Sequence, residues 1–324
     1  MDNLQAITKP VAKEVEEFNS LFATILRGHN PDFQSMIDFI SGKNGKRIRP
    51  LITLLSAGLC GKVNQKSIDY ALIIELLHTT TLIHDDVVDN TMERRSRPSV
   101  NAKYDNRVAV LLGDYILALA ITRAVMAQNL NIMEIIARVA RFLADGELTQ
   151  LINSREIILD ETRYFNVIRN KTAVLIAACG EMGAISVGAS PETREILRQT
   201  GENIGLCFQL RDDIFDYFES GDIGKPTGND IREGKITLPL LYALKTAPKA
   251  KSEEMFRLIE TKNYTPENIK LLTAFARENG GIEYAERKMR EIKAQIVALL
   301  GGFPASEAKN SMLQLVDYVI EREK

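Results

Sequence analysis

The chain has 324 residues, 45% hydrophobic and 26% charged, with 41 basic against 43 acidic side chains for a net charge of -2. That length permits one large domain or two ordinary ones around a sizeable core. The near-balance of charge excludes binding to nucleic acid through a basic excess, and three dispersed cysteines, Cys60, Cys179 and Cys207, form neither a disulfide framework nor a zinc spacing.

In chain order the sequence reads as helix after helix. Long stretches rich in Leu, Ile, Ala, Glu and Lys alternate with short Gly, Pro, Asn or Asp punctuation, placing helices near 10–27, 32–41, 47–60, 65–90, 105–129, 130–153, 161–187, 192–219, 236–246, 252–261, 266–278, 281–300 and 306–322. Strand signals are almost absent, no linker or low-complexity tract divides the chain, and a single domain over 1–324 is expected. The first residues carry early acids and no apolar h-region, so no secretory signal is expected. The longest apolar region, Val108 to Ala127, is interrupted by Asp114 and Arg123, so no transmembrane segment is expected and a cytoplasmic location follows.

Within this helical frame a pattern occurs twice. DDVVD at 85–89 and DDIFD at 212–216 both end long apolar helices, which could face each other across a central cavity. At about 100° per residue His78, Asp85 and Asp89 share one stripe with Glu75 close to it, and Gln209, Asp213 and Asp216 share a face with Asp212 at its edge. Like charges one turn apart repel, and carboxylates at a helix C-terminus meet a negative macrodipole end. A hard divalent cation relieves both. Oxygen-only donors favour Mg²⁺ over zinc, and Mg²⁺ commonly combines one or two carboxylates with waters and phosphate oxygens. One such motif alone is more often a solvated helix end; two copies on polar-striped apolar helices point to diphosphate bound through ions.

Basic residues gather around these motifs. GKNGKRIRP at 42–50 sets Lys46 and Arg49 before a helix, MERRSRP at 92–98 brings Arg94 and Arg95, Lys171 and Thr172 lie mid-chain, and the Gly-rich 221–239 carries Lys225 and Lys235. GDIGKPTG is no P-loop, because Pro226 stands where Ser or Thr is needed and no strand precedes it. His84 reads as structural, whereas His78 shares the acidic stripe.

Together NGKRIRP, ELLHTTTLIHDDVVDNTMERRSRPS, LLGDYILA, GELTQL, NKTAVL, FQLRDDIFD, GKPTGNDIREGKITLPLLYAL and LVDYVIERE are similar, in order and over nearly the whole chain, to the trans-isoprenyl diphosphate synthases, or polyprenyl synthetases. The resemblance implies an all-α isoprenoid-synthase bundle around a deep cavity, usually a homodimer, that joins an allylic diphosphate to isopentenyl diphosphate. It implies that Asp85 and Asp89, with Asp86 nearby, and Asp212, with Asp216, hold Mg²⁺. Arg94, Lys171, Thr172, Gln209, Lys225 and Lys235 would contact the allylic substrate; Lys46, Arg49, His78 and Arg95 would bind isopentenyl diphosphate. Asp85, Asp89, Arg94, Lys171 and Asp212 would carry catalysis. The departures are small: a two-residue spacing in DDVVD, and Asn44 where a glycine is frequent. A class I terpene cyclase would normally lack the second DDxxD and has no need of NGKRIRP, and a non-catalytic synthase subunit would be expected to have lost site residues. In this family the chain-length floor lies on the helix before the first motif. Here Leu77, Thr80 and Thr81 offer no aromatic block, which implies a product beyond geranylgeranyl length, hexaprenyl to decaprenyl. A farnesyl- or geranylgeranyl-length product is the alternative if residues around Tyr115 to Ala127 close the tunnel. Transient membrane contact for product release is also expected.

Overall fold

The structure, a computed structural model, describes residues 2–27, 34–41, 45–94, 97–218 and 228–322. Its helices in chain order are α1 (Asp2–Thr8), α2 (Ala12–Leu26), α3 (Gln34–Ser41), α4 (Ile48–Cys60), α5 (Gln65–Val88), α6 (Val100–Lys103), α7 (Asn106–Met126), α8 (Leu130–Arg155), α9 (Glu161–Ile168), α10 (Val174–Ser186), α11 (Pro191–Phe215), α12 (Asn229–Arg232), α13 (Leu238–Thr246), α14 (Lys249–Glu260), α15 (Pro266–Glu278), α16 (Gly281–Gly301) and α17 (Glu307–Glu321). No strand forms among the described residues; the single β-bridge pairs Glu93 with Pro98. Two compact units result: Met1–Arg138 with Leu175–Gly201 and Phe303–Met312, and Val139–Val174 with Glu202–Gly302 and Leu313–Lys324. Neither is continuous in sequence, since α8, α11 and α17 each supply residues to both.

The first unit is built on α5. Its start is fixed by Asn64, whose side chain accepts the N–H groups of Lys66 and Ser67 while Ser67 Oγ accepts the N–H of Asn64. Apart from the stripe with Glu75 and His78 its body is apolar, so it must be covered on nearly every side. Leu72, Ile73, Ile74 and Leu76 are fully enclosed, with α2, α4 and α7 packed on the helix. Truncating one of them, Leu76→Ala for example, would cost about 2–5 kcal/mol. The helix ends where Asn90 takes a left-handed φ of 51°, a conformation Asn tolerates at a helix C-terminus. In the second unit α13 packs on α14, α15 and α16, with Tyr242 stacked on Tyr284 at 4.1 Å between ring centroids.

The periodicity locates most helices, and the departures have causes. The helix expected over 161–187 is interrupted by a π-turn at Arg169–Ala173. The helix expected to run to 219 stops at Phe215, where the backbone tightens into three-residue turns, Tyr217 N donating to Ile214 O at 3.1 Å and Phe218 N to Phe215 O at 3.2 Å. Helices α1, α6 and α12 are not anticipated; α6 and α12 have four residues each, too few for a hydrophobic period to register. By length and composition α7 does suffice to cross a membrane, Asp114 and Arg123 notwithstanding, and 33% of its apolar window is buried. Its buried stripe of Ala109, Leu112, Gly113, Ile116, Ala120 and Ala124 is mostly small, which lets α5 approach closely.

Candidate active site

In the first unit the site residues sit on the N-terminal end of α4 and along α5. Arg47 caps α4 with a left-handed φ of 50°, a conformation that costs a non-glycine residue about 1 kcal/mol. Its side chain is held by Glu75 Oε1 at 2.6 Å and lies 4.4 Å over the Phe22 ring. Arg49, two residues on, reaches His78, with Nη1 2.8 Å from Nε2. Arginine only donates, so His78 presents Nε2 as an acceptor. At the other end of α5, Asp85 is half-buried and Asp89 exposed, while Asp86 is 2% exposed. Arg94 Nε donates to Asp86 Oδ1 at 2.7 Å. The residues after the motif fold back: Thr91 N donates to Asp86 O at 2.8 Å and Ser99 Oγ to Thr91 O at 2.7 Å.

The second unit encloses a cavity of about 130 Å³ whose wall includes Lys171, Thr172, Gln209, Asp213, Asp230 and Lys235. Lys171 and Thr172 lie in the π-turn, a local widening that recurs at functional sites. Two glycines allow neighbouring helices to reach that turn: a Cβ on Gly146 would stand 2.8 Å from Lys171 N, and one on Gly205 2.5 Å from Ala173 Cα. Lys171 Nζ is 2.7 Å from Glu147 Oε1. A hydrogen-bond chain crosses the wall. Thr172 Oγ1 donates to Gln209 Oε1 at 2.7 Å, Gln209 Nε2 to Asp213 Oδ1 at 2.8 Å, and Tyr164 Oη to Asp213 Oδ2 at 2.5 Å. Burial raises the Asp213 carboxyl from 3.8 to about 6, opposed by the bonds from Tyr164 and Gln209 and reinforced by Asp212 and Asp216. Burial also raises Asp230 to about 8, with Asp213 and Asp216 adding to the effect.

The four residues Lys171, Thr172, Gln209 and Lys235, named from the sequence, therefore share one cavity. Lys46 is exposed just before α4, and Arg49 and His78 touch each other. Arg95 and Lys225 lie outside the described residues. Among the carboxylates expected to hold ions, Asp86, Asp212 and Asp216 each have a protein partner. Asp86 pairs with Arg94, Asp216 accepts the backbone N–H groups of Asn229 and Asp230, and Asp212 pairs with Arg322, whose guanidinium lies 3.9 Å over the Phe208 ring. Motif spacing cannot tell which carboxylates face inward. Glu75, Arg47, Tyr164 and Arg322 were given no role from the sequence, although Glu75 lies on the polar stripe, Arg47 in NGKRIRP and Arg322 in LVDYVIERE. His84 is structural, with Nε2 3.2 Å from Val110 O. Thr80 is buried and donates to Gly113 O at 3.3 Å; Thr81 is half-buried and Leu77 buried.

Among the described residues no three His, Cys, Asp or Glu side chains come together as a protein-only metal cage. Asp85 and Asp89, one turn apart with oxygen donors only, suit a hard divalent ion that keeps waters and takes ligand phosphate oxygens.

Residues 30–275 match the family profile for polyprenyl synthetase. Over 326 residues, 99% of this chain and 100% of the relative, the sequence is 32% identical to octaprenyl diphosphate synthase of Escherichia coli K12. A polyprenyl synthase from Caulobacter crescentus CB15, solved in complex with calcium and isoprenyl diphosphate, matches with a TM-score of 0.92 at 31% identity, covering 99% of this chain and 98% of that one. A geranylgeranyl pyrophosphate synthase from Bacteroides thetaiotaomicron matches with a TM-score of 0.86 at 39% identity, covering 99% and 100%.

Proposed function

The chain belongs to the polyprenyl synthetase family and is a prenyl-transferring enzyme, and we propose that it extends an allylic diphosphate such as farnesyl diphosphate with isopentenyl diphosphate, in the presence of Mg²⁺, to a long-chain polyprenyl diphosphate. The observation that carries this reading is the convergence of Lys171, Thr172, Gln209 and Lys235 on one cavity with an acidic motif in its wall.

In this reading Asp85 and Asp89 would hold Mg²⁺, and Asp212 would do so by exchanging its Arg322 contact for the ion; bound there, Mg²⁺ would supply positive charge against the allylic diphosphate as its carbon–oxygen bond breaks. Arg94 and the lysines bind diphosphate oxygens and stabilise the charge that develops on them. Thr172 and Gln209, fixed in the chain ending at Asp213, orient the bound group. Lys46, Arg49 and His78 bind isopentenyl diphosphate, whose alkene attacks the allylic cation; a proton is then lost, and the released diphosphate can accept it. An apolar surround keeps water from the cation.

Small side chains support the long product, hexaprenyl to decaprenyl: Thr81 is half-buried and Leu77 and Thr80 buried on α5 ahead of Asp85. Thr81→Phe is the informative variant and should shorten the product to farnesyl or geranylgeranyl length. Thr80→Phe would also have to displace α7, since Thr80 already touches Gly113. The test is incubation of purified protein with farnesyl diphosphate, isopentenyl diphosphate and Mg²⁺, with products sized by chromatography and a chelator as control. Full activity with chelator present would remove the metal reading. A wild-type product of geranylgeranyl length would remove the long-chain one.

The homodimer is proposed on the outer face of α7, where Val110, Leu111, Ile121, Val125 and Met126 are exposed at helical spacing, Leu111 at 68%. Patches of this kind mark interaction surfaces. Light scattering should give twice the chain mass, and Leu111→Glu should reduce it to one. Transient membrane contact during product release is proposed from the apolar product alone, and co-sedimentation with lipid vesicles during turnover tests it.

A further inference from the structure

The turn that carries Lys235 is fastened at both ends to two consecutive residues of the second unit, Asp216 and Tyr217. At its start both Asp216 oxygens accept backbone N–H groups, Oδ1 from Asn229 at 3.0 Å and Oδ2 from Asp230 at 2.9 Å. The Asp216 carbonyl accepts a third from Gly228 at 2.9 Å. At its end Tyr217 Oη and Thr237 Oγ1 meet at 2.7 Å, and the two residues are 2% and 6% exposed. Between these points the turn closes on itself, with Lys235 N donating to Asp230 O at 2.8 Å and Gly234 N to Ile231 O at 2.9 Å.

Lys235 and Thr237 line the cavity; Tyr217 is not among its lining residues. Tyr217 is joined to that wall through Thr237, while the Lys235 ammonium itself pairs with Glu233. A phenylalanine would fill the same buried volume, so packing alone does not account for the hydroxyl. What the hydroxyl adds is a fixed point two residues from Lys235, and small displacements of a binding group are costly in a preorganised site.

We propose that Tyr217, acting with Thr237 and the Asp216 cap, is a positioning residue that aims Lys235 into the cavity and thereby sets affinity for the diphosphate of the allylic substrate. This rests on the reading of Lys235 as an allylic-diphosphate contact. It also gives Asp216 work distinct from holding an ion: it anchors the start of the turn as Tyr217 anchors the end.

The experiment is steady-state kinetics on purified full-length variants, with each substrate varied and thermal unfolding measured alongside. Lys235→Ala should raise the allylic KM. Tyr217→Phe and Thr237→Val should each raise it by about threefold to tenfold, as expected for a lost hydrogen bond, leaving the isopentenyl diphosphate KM unchanged. Thr237→Ser, which keeps the hydroxyl, should restore the parental value. In a Lys235→Ala background Tyr217→Phe should add nothing, because a residue acting through Lys235 cannot act in its absence. An unchanged allylic KM in Tyr217→Phe with a lowered Tm would reduce the pair to a structural contact. Additive effects in the double variant would likewise overturn the proposal. If Lys235→Ala itself left the allylic KM unmoved, the reading of Lys235 would fall and the inference with it. A shift in Lys235→Ala without one in Tyr217→Phe would sink the inference alone.

Discussion

The two acidic motifs share the pattern DDxxD, yet the protein treats them differently. In the first, the middle carboxylate of Asp86 is buried against Arg94, while Asp85 is half-buried and Asp89 exposed. In the second, every carboxylate has a protein partner: Asp212 has Arg322, Asp213 has Tyr164 and Gln209, and Asp216 has two backbone N–H groups. Clustered carboxylates at a helix end are destabilising by themselves. The first motif keeps Asp89, and in part Asp85, accessible to an ion; the second offsets much of that repulsion with the protein's own donors. Identical spacing therefore places an accessible carboxylate at the end of the first motif and a hydrogen-bonded one, Asp213, in the cavity wall of the second.

The largest effects test whether both motifs still serve one reaction. Asp85→Ala and Asp212→Ala should each lower turnover by about a thousandfold, corresponding to loss of several kcal/mol of charge stabilisation. Product formation at near-parental rates in the Asp212 variant would confine metal work to the first motif. Next, the basic residues of the two units should separate by substrate. Lys46→Ala, Arg49→Ala or His78→Ala should raise the isopentenyl diphosphate KM, and Lys171→Ala the allylic KM, each by about tenfold to a hundredfold, the value of a charge-assisted hydrogen bond. A rise in only the allylic KM for Lys46→Ala would reverse the assignment.

A smaller effect probes the wiring through pH. Because burial raises the Asp213 carboxyl to about 6, the native state binds its proton more tightly than the unfolded chain does. That contribution to stability is complete below the unfolded value of 3.8 and is lost as pH rises through about 6. Asp230, raised to about 8, extends the decline. In chelator-containing buffer Tm should therefore fall from pH 4 toward pH 8 on account of these two groups. Asp213→Asn should flatten the lower part of that fall, and superimposable profiles would contradict the buried placement. The smallest effect belongs to Arg322→Ala. It removes a pairing with the partly exposed Asp212 and a contact over Phe208, and should cost about 1 kcal/mol in chemical unfolding. A loss several times larger would mean that the second motif depends on the largely buried Arg322 side chain far more than the exposure of Asp212 implies.

Much was legible from the sequence because it depends on local chemistry. The 3.6-residue apolar period identified the long helices, as on α5, and the family motifs identified the site residues that line the second unit's cavity. What the sequence left open depends on which way a side chain faces once its helix is packed. Adjacent aspartates such as Asp85 and Asp86 look alike in sequence, but the helix turns about 100° between them, leaving one half-buried and burying the other against Arg94. The π-turn under Lys171 and Thr172 is likewise silent in the periodicity, although Gly146 and Gly205 make room for it. Partners such as Arg322 for Asp212 or Thr237 for Tyr217 lie 110 and 20 residues apart, and no spacing rule reaches that far. The sequence by itself determined the helical class and the kind of chemistry, because period and residue type are properties of the chain. Tertiary structure alone decided which carboxylates are buried and which stay accessible, because burial and hydrogen-bond partners exist only after packing.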